Sequence, residues 1–160
     1  MSASAEHGEA GGRREIEVIS RGLVRDGGRV LVCRAVKAGY VYLPGGHVEF
    51  GESAAEGLAR EFVEELGWEV RVGELIMASE ARFRQGGCDR HELNLVFHVE
   101  HTPGAEARSL ETKIAFEWMD AAALVASDVR PPAVADWLAE IFSREASDQV
   151  AIFRWASDGS

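Results

Sequence analysis

Three features of this 160-residue chain predict an α/β domain. β-Branched runs near the start are joined by glycine turns. A capped amphipathic helix runs from Ser53 to Leu66, and a second amphipathic helix follows later, after more alternating segments. The length suits one domain able to bury roughly two thirds of its unfolded surface.

Glu17 to Val24 and Arg29 to Cys33 read as two antiparallel strands joined at Asp26-Gly27-Gly28, residues that suit a tight hairpin turn. Tyr40 to Leu43 makes a short third strand, and Pro44-Gly45-Gly46 is expected to interrupt regular structure. Ser53 and Glu56 form a capping box, and Gly67 stands where a helix end needs positive φ. Trp68 to Phe83 is strand-like around Gly73, and Gln85 to Arg90 reads as a loop. His91 to Glu100 alternates, with Leu93, Leu95, Phe97 and Val99 on one face and Glu92, Asn94 and His98 on the other.

A polar loop through Thr102 to Thr112 leads to a strand over Ile114 to Met119, and Asp120 is placed to cap a short alanine-rich helix. Pro131-Pro132 opens the last helix, whose Val134, Trp137, Leu138, Ile141 and Phe142 follow the i, i+3, i+4, i+7, i+8 rule of one buried face. Val150 to Trp155 is apolar enough for a strand, a packed tail or a dimer contact, and the sequence does not choose among them. No internal repeat or second domain boundary is visible. The expected organisation is a disordered tail over residues 1–14 and one domain over 15–156.

The 27 acidic side chains outnumber the 17 basic ones, giving a formal charge of −10. That balance argues against a phosphate-gripping nucleic-acid surface and against docking to anionic lipid. An anionic substrate would need cations as intermediaries. Cys33 and Cys88 have no neighbours at metal-ligand spacing and read as unpaired thiols in a reducing cytosol. The first fourteen residues lack the apolar core of a signal peptide, and no stretch approaches the ~18 apolar residues of a membrane span. A soluble cytoplasmic protein is expected.

The stretch from Gly46 to Trp68 carries the chemistry. On a helix, Glu61, Glu64 and Glu65 fall within an arc of about 100°, beside a core sector of Ala55, Leu58, Ala59, Phe62 and Leu66. Ala54 and Gly57 leave the acidic arc unshielded by the helix itself. Three clustered carboxylates repel one another, and divalent cations with oxygen ligands, Mg²⁺ or Mn²⁺, remove that penalty while binding phosphate. Arg60 edges the arc, where a guanidinium can fix a carboxylate rotamer by a bidentate contact. The ordinary alternative is a solvated acidic helix face. Gly45-Gly46 tips the balance, because it lets backbone approach a ligand and offers a carbonyl to a metal.

If Gly46, Glu52, Arg60, Glu61, Glu64, Glu65 and Gly67 were each filled by chance at roughly 7% usage, the pattern would arise with probability on the order of 10⁻⁸ per starting point, so coincidence is set aside. The stretch resembles the Nudix box, G-x5-E-x7-R-E-U-x-E-E-x-G-U with U apolar, at every fixed position. Only Trp68 departs, standing where the family usually has an aliphatic residue. The resemblance implies an α/β/α sandwich with a mixed β-sheet, and metal-dependent hydrolysis of a small nucleoside diphosphate linked to another moiety.

Residue by residue, the resemblance makes Glu64 and Glu65 the principal metal ligands, Glu61 a further ligand or water-orienting carboxylate, and Gly45 the carbonyl donor. Arg60 then orients the catalytic glutamates and Glu52 steadies the loop and helix. Glu80 and Glu92 are candidate general bases from segments expected to line the cleft. Gly46, His47 and Tyr42 are candidate substrate contacts, and Tyr40, Tyr42 and Phe83 are candidate stacking rings. A nucleotide-binding sensor without hydrolysis is the main alternative, and diphosphate isomerisation a third reading; an unbroken box favours catalysis. Substrate identity is not legible, and a homodimer is permitted by the apolar C-terminal segment.

Overall fold

The computed structural model describes residues 15–143 and 152–157. The expected tail over residues 1–14 lies outside them. The strands are β1 (Glu17–Asp26), β2 (Arg29–Ala35), β3 (Val41–Tyr42), β4 (Gly45–His47), β5 (Arg71–Gln85), β6 (Cys88–Glu100), β7 (Ile114–Met119) and β8 (Ile152–Ser157). The helices are α1 (Ala54–Leu66), α2 (Ala121–Val125) and α3 (Pro132–Ser143).

The strands run in the order β3-β2-β1-β6-β5-β8, with β4 on β1 and β7 on β2. β1 pairs parallel with β6 and antiparallel with β4, and its last two residues turn into β2. Each strand shows its alternate residues to opposite faces. Thus Val30 and Val32 join Trp137, Leu138 and Val134 of α3, while Leu31 between them joins Leu58, Phe62 and Leu66 of α1. Helix, mixed sheet and helix form the α/β/α sandwich. Burying a side chain such as Phe62 at this interface makes its truncation cost about 3–5 kcal/mol.

Local chemistry explains the ends of α1. Ser53 is the N-cap and accepts from the Glu56 amide at 3.2 Å, while the Glu56 carboxylate accepts from the Ser53 amide at 2.7 Å. Gly67 ends the helix at φ 68°. Trp68, at the unusual position, stacks on the His101 ring at 5.4 Å.

Two expectations change. Pro44-Gly45-Gly46 does not interrupt structure, because Gly45, Gly46 and His47 pair with Arg21, Ser20 and Ile19 as β4. Gly45 permits this at φ 138°, since a side chain there would collide with the Ser20 carbonyl. The loop expected over Gln85 to Arg90 shrinks to Gly86-Gly87, both at positive φ, in a two-residue hairpin turn that continues β5 into β6. On the face of β6 that carries Glu92, Asn94 and Val96 are fully buried while His98 is exposed. The C-terminal segment is resolved in favour of a strand, β8, parallel to β5 from Met77↔Ile152 to Arg82↔Ser157.

Candidate active site

Helix α1 and strand β4 face each other through glycines. A Cβ on Gly46 would collide with the Glu61 carboxylate, so the missing side chain is what lets that carboxylate reach the strand. Gly57 makes similar room a turn before Glu61, where a Cβ would lie 2.6 Å from Glu52 Oε1. The gap over Gly57 is therefore filled by Glu52 rather than left for a ligand.

Arg60 is the hub. Its Nε and Nη2 grip the two oxygens of Glu52 at 3.2 and 2.9 Å, and Nη1 reaches Glu61 at 3.0 Å and Glu64 at 3.2 Å. Nη2 also donates to the His47 carbonyl at 3.0 Å, tying β4 to α1. The bidentate contact expected of Arg60 thus falls on Glu52, outside the acidic arc. Glu52 accepts in addition from the Glu49 amide at 2.8 Å. Arg60 and that amide hold the Glu52 carboxyl below its ordinary range.

The other carboxylates move the opposite way. Burial raises Glu61, with Arg60 opposing. Burial also pushes Glu65 up to about 8, reinforced by the negative charges of Glu61 and Glu111. Among the described residues the Glu65 carboxylate has no hydrogen-bond or ion-pair partner.

A divalent cation would suit these groups. The donors are hard oxygens, the chemistry of Mg²⁺ or Mn²⁺, and a half-buried carboxylate without a partner lacks the positive charge such an ion provides. Among the described residues no three acidic, histidine or cysteine side chains form a ready-made metal cage. Arg60 meanwhile engages Glu61 and Glu64.

Glu80 and Glu92, read from sequence as equivalent outsiders, are on opposite faces of the sheet. Glu80 opposes Leu93 on the side that carries Phe97 and Val99 towards α1, and its carboxylate meets His91 Nε2 at 2.6 Å. It does not line the cleft. Glu92 opposes Ala81 and does line it, in a cavity of about 730 Å³ shared with Arg21, Tyr40, Tyr42, Phe83 and Arg130. All three rings named as stacking candidates border this one space. His47 instead has an exposed imidazole 3.8 Å from Glu17.

Sequence reasoning passed over Arg21, Asn94 and Arg130. Arg21 Nε donates to Asn94 Oδ1 at 3.0 Å and Nη1 to the Leu43 carbonyl at 3.2 Å, with the guanidinium 5.2 Å from the Tyr42 ring centre. Arg130 lies 4.5 Å over Tyr40, held by Asp128 at 2.7 Å. The available signal was an arginine between the buried apolar residues Ile19 and Leu23 on one face of β1.

A family model described as the NUDIX domain matches residues 15–143. The chain belongs to the Nudix hydrolase family. A MutT-like protein of Streptomyces ambofaciens is 31% identical over 121 residues, 76% of this chain and 68% of its own length. The crystal structure of the MutT protein of Methanosarcina mazei aligns at TM-score 0.66 and 24% identity, covering 84% of this chain and 97% of its own. A Nudix hydrolase from Nitrosomonas europaea aligns at 0.64 and 19%, covering 92% and 82%. These structures share the sandwich. No helix among the described residues is long and apolar enough to cross a membrane.

Proposed function

We propose that this Nudix hydrolase cleaves the pyrophosphate of a small nucleoside diphosphate derivative in the cytosol, with Mg²⁺ or Mn²⁺ as cofactor. The observation that carries the reading is the half-buried Glu65 carboxylate, unpartnered beside Glu61 and Glu64. Glu64, Glu65, Glu61 and the Gly45 carbonyl would hold the metal. When bound, it neutralises pyrophosphate charge and acidifies a coordinated water.

The chain's own residues supply the rest. Arg60 fixes the rotamers of Glu61 and Glu64, and Glu52 fixes Arg60. Glu61, held by Arg60 at 3.0 Å against Gly46, is placed to orient the attacking water. No covalent nucleophile is needed. The water oxygen bonds to phosphorus, the bridging P–O bond breaks, and the leaving group departs as a phosphate ester.

One substrate to test is suggested by an aligned structure from Streptococcus suis, described as an ADP-ribose pyrophosphatase, at TM-score 0.56 and 14% identity, covering 87% of this chain and 99% of its own. Nucleoside triphosphates, ADP-ribose, nucleotide sugars and dinucleoside polyphosphates should be assayed with each metal. We expect metal-dependent phosphate or nucleotide release from at least one class. Silence across the panel at micromolar enzyme would favour a nucleotide-binding module instead.

A further inference from the structure

Asn94 is a fully buried amide in the middle of β6, next in alternation to the apolar Val96. A buried amide is costly unless both ends are bonded. Here both ends are used, and by charged partners from two strands. Its Oδ1 accepts from Arg21 Nε at 3.0 Å, and its Nδ2 donates to Glu92 Oε2 at 3.2 Å. Arginine only donates and an ionised carboxylate only accepts, so just one orientation of the amide satisfies both.

The consequence is a fixed carboxylate in the cleft. Glu92 Oε1 has no hydrogen bond among the described residues, while Glu92 borders the cavity together with Tyr40 and Tyr42. The sheet face matters as well. Glu92 shares its face with Met77 and Val96, packed towards α3, whereas Glu61 meets Gly46 on the α1 side. Glu92 thus lies on the opposite face of the sheet from the α1 carboxylates. Arg21 borders the same cavity and interacts electrostatically with both Glu92 and Glu65.

Resting on the hydrolase reading above, we propose that this cleft takes the nucleoside end of the substrate, and that Asn94 is the positioning residue that presents Glu92 to an exocyclic amino group on the base. A carboxylate accepts from an amino group and repels a carbonyl oxygen at the same place. The aromatic walls supply a flat apolar surface for the ring.

The test uses matched bases that differ in the amino group: guanosine against inosine nucleotides, and cytidine against uridine nucleotides. kcat and KM are measured with Mg²⁺, and Kd for the corresponding monophosphates is measured by calorimetry on the metal-free protein. We expect the amino-bearing member of at least one pair to be favoured about tenfold or more in KM and Kd. Glu92→Gln and Asn94→Asp should both reduce that preference below about threefold, with the change in KM and Kd rather than kcat. Asn94→Asp replaces the amide donor with a second negative charge against Glu92, and Glu92→Gln, at a less buried position, serves if Asn94→Asp fails to fold. Preference retained in Glu92→Gln, no preference in the unaltered protein, or a loss confined to kcat would overturn the proposal. Hydrolysis absent while the Kd preference persists would instead sink the catalytic reading alone.

Discussion

The Glu61 carboxylate occupies the space where Gly46 has no side chain: a Cβ on Gly46 would overlap its Oε1 and lie 2.8 Å from Oε2. Strand and helix therefore meet through one missing atom, and the position of the Glu61 carboxylate depends on it. Gly46 has no positive φ, so its backbone tolerates a side chain. Gly46→Ala should leave thermal stability nearly unchanged and lower kcat about tenfold or more by swinging Glu61 away. Parallel melting curves and steady-state kinetics check this, and unchanged kcat would remove Glu61 from the chemistry.

Gly45 should behave in the opposite manner. Its φ of 138° and the Ser20 carbonyl leave no room for a side chain, so Gly45→Ala should cost about 2–4 kcal/mol by urea unfolding. A loss under about 0.5 kcal/mol would mean that β4 is not held as described.

Arg60 reaches three carboxylates and a carbonyl with one planar group. Lysine keeps the charge and loses the fork. Arg60→Lys should therefore reduce kcat by roughly ten- to a hundredfold while KM changes little. Equal activity would show that point charge alone suffices.

Glu64→Gln and Glu65→Gln keep shape and remove charge. Each should lower kcat by roughly 10²-fold or more. Losses below about threefold in both would defeat their assignment as metal ligands.

The raised Glu65 carboxyl gives a signed pH effect. Between the ordinary value of 4.5 and about 8, the folded protein keeps a proton that the unfolded chain has released. Metal-free stability from this group consequently falls as pH rises through that window. Glu65→Gln should melt higher than the unaltered protein near pH 8.5 and equally near pH 4, and added Mg²⁺ should narrow the difference at high pH. Thermal melts across pH provide the measurement, and a lower melting point for Glu65→Gln at high pH without metal would contradict it.

Much of the site was legible because it is local. Ser53, Glu56 and Gly67 cap α1 through contacts within a few residues, and the i, i+3, i+4 spacing alone places Glu61, Glu64 and Glu65 on one side. The late helix was equally readable, since Val134, Trp137, Leu138 and Ile141 repeat at helical spacing and all four are buried. Arg21 and Asn94 were not, because a hydrogen bond between residues 73 positions apart leaves no periodic trace.

By itself, the sequence determined the α/β class, the helix that carries the box and the grouping of Glu61, Glu64 and Glu65 on it, all of which rest on short-range spacing and capping. Tertiary structure decided which side each remaining group faces. The register through the Gly86-Gly87 turn separates Glu80 from Glu92, and pairing of β1 with β6 brings Arg21 to Asn94. Pairing of β4 with β1 brings Gly46 under Glu61. In a sheet, a shift of one residue reverses every side chain, so function beyond the box depends on strand pairing that no local stretch encodes.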